Sequence, residues 1–328
     1  MTEITQLLSD QALKIATILE LKMDSNIKCV VCKGGTISCI DEVSGQHLSA
    51  LYKKFGVYDL TLPDVITVYQ CKECLVKWFF PVQTGDSAFY ECLQQHDWYY
   101  QDEKPEFTFA AKALTNSKSV LEIGCGTGHF VGRLQSDVRY VGLDFNDSAI
   151  REGLKKNLDV RNQSIADFSA NCDMQINAVV AFQVLEHVPD PSAFLHECAA
   201  LLKKGGLFVI SVPNDDAFQG VATNHTMNLP PHHVTRWERK TFEVWAENNG
   251  FIIDDLFFDP IAPYHLVWWR SAILQEKLRS VFNMPFKYVD ISLYWSLLAK
   301  ACAILARFLR IEGSGDKGHS ITVVMKKA

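Results

Sequence analysis

From about residue 117 onward the apolar positions of this chain cluster into short runs, SVLEIG, RYVGLD, INAVVAF and LFVISV, each followed by a stretch in which apolar and polar positions alternate at helical spacing. Near-continuous apolar runs separated by helices are the pattern of strands buried on both faces of a largely parallel sheet. The predicted architecture is therefore α/β, a doubly wound sheet. WERKTFEVWAENNG reads as one further helix, and FIIDDLFF and HSITVVMKK as two more strands. The interval between those strands, about 260–318, is largely helical in pattern and carries Trp268, Trp269 and Trp295. It reads as an insertion within a domain spanning 119–328.

The first part of the chain has a different texture. Apolar groups at Ile4, Leu7, Leu8, Leu13, Ile15, Ile18 and Leu19 follow the helical period and predict an N-terminal helix within residues 1–28. From Cys29 to about residue 88, short strands and glycine turns are bracketed by two cysteine pairs, which suggests a small separate module. A segment rich in aromatic residues, 89–118, links it to the larger domain.

Composition narrows the function classes. The chain has 328 residues, 48% of them hydrophobic and 21% charged, enough for a large core and too apolar for disorder. Its formal charge of −6 provides no basic field for a phosphate backbone, which argues against RNA or DNA as substrate. Ten cysteines without a basic and apolar leader at the start point to a reducing compartment, and cytoplasm is the expected location. The longest apolar run, Leu293 to Leu309, is broken by Lys300 and Arg307 and is shorter than the roughly 20 residues of a membrane span.

Candidate chemistry begins where the strand 119–123 runs into Gly124, Gly126 and Gly128, with a helix expected from His129. Glycines there let backbone amides approach a ligand closely. A dinucleotide fingerprint would need a glycine at His129 or Val131, so a nicotinamide cofactor fails on spacing. Asp144, at the end of YVGLD, is placed to accept hydrogen bonds from both hydroxyls of a ribose.

With Glu122 ahead of the glycines, E-x-G-x-G-x-G resembles the first motif of class I S-adenosylmethionine-dependent methyltransferases. The likeness extends over about 119–328. It implies a Rossmann-like seven-stranded sheet in the order 3-2-1-4-5-7-6 with the last strand antiparallel, and S-adenosyl-L-methionine as cofactor. By the same resemblance Asp144 holds the adenosyl ribose. Ser164-Ile165-Ala166-Asp167-Phe168 looks like the third-strand motif, in which Asp167 accepts from the adenine amino group and Phe168 packs on the ring. AFQVLEHVPDP matches the segment that lines the methyl donor, with Phe182, Gln183, Glu186 and His187 near the reaction centre.

Cys29-Val30-Val31-Cys32 and Cys71-Lys72-Glu73-Cys74 form two C-x₂-C knuckles whose four thiolates can complete a closed tetrahedral Zn²⁺ site, structural rather than catalytic. The 38-residue spacer exceeds the usual length, so a longer ribbon with an inserted hairpin and a site without metal are both open, as is a redox pair. Cys39, Cys92, Cys125, Cys172, Cys198 and Cys302 stand singly and read as small apolar fillers. The arrangement, with YQCKECLVKWFFP, Tyr90 and WYYQDEKPEF, resembles bacterial methyltransferases that place a zinc-binding module before the catalytic domain. Those include sugar C-methyltransferases and enzymes encoded with surface polysaccharides. The C-methyltransferases carry a further C-terminal domain, whereas this chain ends soon after its presumed last strand, so oxygen is favoured over carbon as acceptor.

Methyl transfer to a hydroxyl needs alignment and a base. His187 and the pair His232 and His233 in NLPPHHVTRW leave the carboxyl ends of sheet strands, where ligands bind in such folds, and are the candidate catalytic residues. Asn214 could orient a hydroxyl, with Asp215 or Asp216 assisting. Tyr99 and Tyr100 could close over the donor or a sugar face. The aliphatic and tryptophan content of 263–309 could serve as core, as a homodimer contact or as a weak membrane-surface contact. The expected acceptor is a small-molecule carbohydrate, a nucleotide-linked sugar or surface-glycan residue. The alternatives are RNA base methylation and a binding or scaffold protein without activity.

Overall fold

The apolar runs become strands, and they assemble into two sheets. The computed structural model describes residues 27–95, 104–172, 176–309 and 318–328. Most of the expected N-terminal helix, and Tyr99 and Tyr100, lie outside them. The smaller sheet joins β1 (Ile37–Ser44), β2 (Val65–Cys71), β3 (Lys77–Phe80) and β9 (Thr235–Arg236), all antiparallel, in that order. The larger sheet contains β4 (Ser119–Ile123), β5 (Arg139–Leu143), β6 (Val160–Arg161), β7 (Ile176–Phe182), β8 (Leu202–Pro213), β10 (Phe251–Phe258) and β11 (Ser320–Lys327).

Across the larger sheet the order is β6-β5-β4-β7-β8-β11-β10, parallel except for β11, which runs antiparallel to both neighbours. Numbered by first appearance within this sheet, that order is 3-2-1-4-5-7-6, as expected. Every residue of β4 is buried, and Ile321, Val323, Val324 and Met325 of β11 have no exposure, because helices cover both faces. The edge strand β10 instead carries Asp254 and Asp255 and a bulge between Ile253 and Asp255, which suits a strand with one open side.

Helices α1 (Gly45–Tyr52), α2 (Ser87–Gln94), α3 (Pro105–Ala113), α4 (Asp147–Lys155), α5 (Ile165–Ala170), α6 (Pro191–Leu201) and α7 (Arg239–Asn248) complete this frame. Their starts are written in the sequence. Asn146 caps α4 by accepting from Ser148 and Ala149, and Asp190 caps α6, where Pro191 occupies the first turn.

Three expectations change. The helix expected from His129 is only a 3₁₀ turn, Phe130–Arg133, since Gly128 and Gly132 flank and interrupt the segment. The third strand ends at Arg161, before Ser164. Ser164 accepts from the Asp167 amide and caps α5, so Asp167 and Phe168 are helical rather than extended. The cysteine module is not separate. Its last strand, β9, comes from the segment that follows β8, and Cys29, Cys71, Cys74 and Trp78 share one core with Leu121, Val179, Phe208, Trp237 and Trp245 of the larger domain.

The insertion folds as α8 (Leu266–Val281) and α9 (Leu293–Ala306). The chain between them reaches back to the small sheet, where the Tyr288 amide donates to Asp41 (2.8 Å) and its ring packs edge-on to Phe79. Around α9, Leu293, Tyr294, Leu297, Ile304, Leu305 and Phe308 are exposed, so this part of the insertion is not core. No helix among the described residues is long and apolar enough to cross a membrane.

Candidate active site and cysteine centre

The glycine loop leaves β4 at the carboxyl edge of the sheet. Gly124 and Gly126 both have positive φ, 70° and 53°, which glycine adopts without penalty. The Gly124 and Cys125 amides donate to the Leu143 oxygen at 2.8 and 3.1 Å, tying the loop to the end of β5. There the Asp144 carboxylate accepts from the Gly126 amide (2.7 Å) and the Asn146 amide (2.8 Å), one bond to each oxygen. Each oxygen keeps a second lone pair, so two vicinal hydroxyls can be received. A Cβ on Gly126 would meet no atom within 4 Å, and the loop there faces open space.

Buried carboxyls gather around this end of the sheet. Burial pushes Glu122 up to about 8, although it accepts from the Tyr140 hydroxyl at 2.5 Å, a bond that pulls the other way. Burial likewise pushes Glu186 up to about 8, and Asp259 to about 8 with Glu106 adding to the effect. S-adenosylmethionine fits this edge of the sheet at its ribose, through Asp144.

Several residues assigned to the cofactor have partners within the protein. Phe182 packs against Phe107 and Phe130, with ring centroids 4.9 and 4.8 Å away, and is core. Gln183, at φ 56°, turns its amide into a polar group with Ser211 (3.1 Å) and Ser320 (3.3 Å). Asp167 accepts from the Ser164 hydroxyl (2.6 Å) and is exposed, while Phe168 is buried beneath Arg161. The adenine roles that the resemblance implies for these two would be played from the start of a helix that follows the strand. Asn214 is wholly buried and holds the Gly318 oxygen and the Asp216 amide, which makes it a brace rather than a substrate contact.

The three histidines do meet. His187, His232 and His233 each offer a ring nitrogen within 4.8 Å of the others. The chain delivers them from two elements that touch. Glu186 and His187 follow β7, and the Glu186 oxygen accepts from the Val234 amide at 2.8 Å, while the Phe79 amide of β3 donates to the Val234 oxygen. Tyr52 of α1 steadies the approach by donating to the Thr226 and Leu229 oxygens at 2.7 and 2.9 Å. The small sheet thereby positions the second half of the cluster.

Each imidazole is oriented through Nδ1. His187 Nδ1 lies 2.6 Å from the His232 oxygen, His232 Nδ1 lies 2.9 Å from the Met227 oxygen, and His233 Nδ1 lies 3.0 Å from Asn228 Oδ1. Carbonyl oxygens only accept, so Nδ1 carries the proton and the lone pair sits on Nε2. Burial pushes His187 down to about 4 and, with the neighbouring His187 charge, His232 to about 3; His233 is held well below the usual range. Tyr90, whose hydroxyl is 3.2 Å from His187 Nδ1, belongs to the cluster although only its place in the aromatic stretch drew attention to it.

Beneath the cluster a buried ion network joins the two sheets. Lys77 of β3 and Arg236 of β9 both contact Asp215, each at 2.5 Å, and Arg236 also donates to the Asn228 and Gln219 oxygens. Burial would raise the Asp215 carboxyl, but the charges of Arg236 and Lys77 outweigh it and hold it below the usual carboxylate range. Asp215 is therefore structural.

The four knuckle cysteines also converge, with sulfurs within 4.8 Å of one another and the pairs Cys29–Cys74 and Cys32–Cys71 at 3.5 and 3.6 Å. A tetrahedron with Zn–S bonds of about 2.3 Å has edges of about 3.8 Å. The two knuckles repeat one turn: Cys29 donates to the Gly34 oxygen and accepts from Lys33, and Cys71 donates to the Val76 oxygen and accepts from Leu75. Lys33 and Leu75 have positive φ, 61° and 67°. Amides of Val31, Cys32 and Glu73 point at sulfurs, as thiolates require.

Residues 96–256 match the family model described as a methyltransferase domain. A protein of Mycolicibacterium smegmatis named "Probable S-adenosylmethionine-dependent methyltransferase" is 28% identical over 176 residues, 52% of this chain and 66% of its own. The ubiquinone biosynthesis O-methyltransferase of Xanthomonas oryzae pv. oryzae is 37% identical over 152 residues, 42% of this chain and 64% of its own. The chain thus spans just under two thirds of these relatives' length. Among solved structures, a SAM-dependent methyltransferase from Archaeoglobus fulgidus aligns with 67% of this chain and 94% of its own, at 17% identity and a TM-score of 0.43. Residues 96–256 are thus similar to a methyltransferase domain, and the 3-2-1-4-5-7-6 sheet order and the glycine loop agree with that match.

Proposed function

We propose that this protein transfers the methyl group of S-adenosylmethionine to a hydroxyl oxygen of a small-molecule acceptor, a nucleotide-linked sugar or surface-glycan residue. The observation that carries the donor half is the Asp144 carboxylate, held between the Gly126 and Asn146 amides with a lone pair spare on each oxygen. The loop and Asp144 bind and orient the adenosyl group. When bound, the donor supplies an activated methyl carbon.

On the acceptor side, Nδ1–H bonds fix the direction of the Nε2 lone pairs of His187 and His233, which can draw on a hydroxyl proton, with His232 packed beside them. The cysteine centre is proposed to hold a structural Zn²⁺ that fastens the small sheet and, through β3 and β9, the loop carrying His232 and His233. The net charge of −6 speaks against RNA.

A second acceptor class has specific support. Relatives named ubiquinone biosynthesis O-methyltransferases point to a phenolic oxygen. Release of S-adenosylhomocysteine against matched panels of nucleotide sugars and of phenols separates the two. Turnover of a sugar alone supports the reading, turnover of phenols alone moves the acceptor class, and no turnover in either panel counts against methyl transfer to these oxygens.

A further inference from the structure

The histidine cluster has the design of a metal centre. We infer that His187, His232 and His233, through Nε2, and the Glu186 carboxylate form a site for a divalent cation of the zinc class, distinct from the cysteine centre.

Three observations converge on it. The ring nitrogens lie within 4.8 Å of one another, and a cation bound at about 2.0–2.1 Å needs them about 3.4 Å apart, a small inward movement. Each imidazole also gives its Nδ1 proton to an oxygen, the His232, Met227 and Asn228 carbonyls, which is how metal-ligating histidines are held and how the Nε2 lone pair is fixed in direction. The carboxylate supplies the independent sign. Glu186 is 1% exposed, neither of its oxygens has a hydrogen-bond partner among the described residues, and Oε1 sits 3.9 Å from Nε2 of both His187 and His233. A carboxylate buried without donors is costly, and a cation shared with the Nε2 atoms of His187 and His233 is what its position serves.

The ligand chemistry selects the ion. Three neutral imidazoles with one carboxylate suit Zn²⁺ and its neighbours, whereas Mg²⁺ and Ca²⁺ prefer oxygen. His187, with 24% of its side chain exposed, is the solvent-facing member, so a further ligand approaches beside it. If the proposed methyl transfer holds, that ligand is the acceptor hydroxyl, made more acidic by the cation, which then takes the place of the Nε2 lone pairs in activating it. The metal site itself does not depend on that reading.

Full-length protein produced in cobalt-supplemented medium tests the site without an activity assay. Wild type is expected to carry two Co²⁺ per chain, one giving the intense thiolate-to-cobalt charge-transfer band of the cysteine centre. Glu186→Gln and His187→Gln are expected to lose about one Co²⁺ per chain and keep that band. Equal cobalt content in wild type and both variants overturns the proposal. Since a variant could misfold, copper-loaded wild type gives a second reading: spin-echo modulation from the remote nitrogen of coordinated imidazole is expected, and its absence overturns the site even if methyl transfer is found.

Discussion

His187 Nδ1 lies 2.6 Å from the main-chain oxygen of His232, so the histidine that follows the fourth strand of the large sheet is aimed by the loop that the small sheet carries. Two parts of the chain that look independent in sequence are coupled at that bond. The loop is held in turn by the Asp215 network.

Breaking that network is expected to be expensive. The Asp215 and Arg236 side chains are each 1% exposed, so Asp215→Asn leaves two cations facing a neutral group in the interior. A loss of about 3–5 kcal/mol follows, measured by denaturant unfolding. A loss below about 1 kcal/mol would mean that the network does not join the sheets.

Two glycines of the donor loop should respond differently to alanine. At Gly124 a Cβ would lie 2.3 Å from Val184 Cγ2, and φ is already 70°, so Gly124→Ala is expected to destabilise the fold by about 2 kcal/mol. At Gly126 a Cβ meets nothing, leaving only the strain of φ 53°. Gly126→Ala should cost about 1 kcal/mol in stability yet weaken S-adenosylmethionine binding, because the open space is where the proposed donor would sit. Thermal melts and calorimetry on both variants check the contrast.

Glu122 makes ligand-free stability depend on pH. Its carboxyl stands at about 8 in the fold, above the ordinary 4.5, so the fold binds the extra proton. Stability from this group is complete below pH 4.5 and falls as pH rises toward 8, by roughly a kcal/mol per pH unit. Glu122→Gln stays neutral, and its melting temperature relative to wild type is expected to climb from near equality at pH 5 to several degrees higher at pH 8.5. Parallel curves would contradict a Glu122 carboxyl held up by burial.

Zinc removal should unfasten the small sheet. Treatment with a strong chelator is expected to release zinc together with four titratable thiols and to lower the melting temperature by about 10 °C. Unchanged melting after zinc release would make the centre dispensable for the fold.

Much of this was legible in the residues. The runs INAVVAF and SITVVMKK became central strands because continuous apolar text fits only a sheet covered on both faces. The glycine loop with Asp144, and the paired knuckles, were readable because spacing alone determines which donors converge. Other features were not. Thr235 and Arg236 are too short a run to announce a strand, so the union of the two sheets was hidden. Ser164 and Asp167 form a local cap that turned a presumed strand into a helix. The His187–His232 bond runs to a main-chain oxygen, and Glu186 stands out only once its burial without donors is seen. Contacts to backbone leave no mark on residue type.

The donor site is tested most directly by titrating full-length protein with S-adenosylmethionine in a calorimeter, beside Asp144→Ala. Wild type is expected to bind one equivalent, and Asp144→Ala to bind about 10- to 100-fold more weakly through loss of charge-assisted bonds to the ribose. No heat of binding in folded wild type, or equal affinity in the variant, would contradict the assignment of residues 119–144 as the donor site.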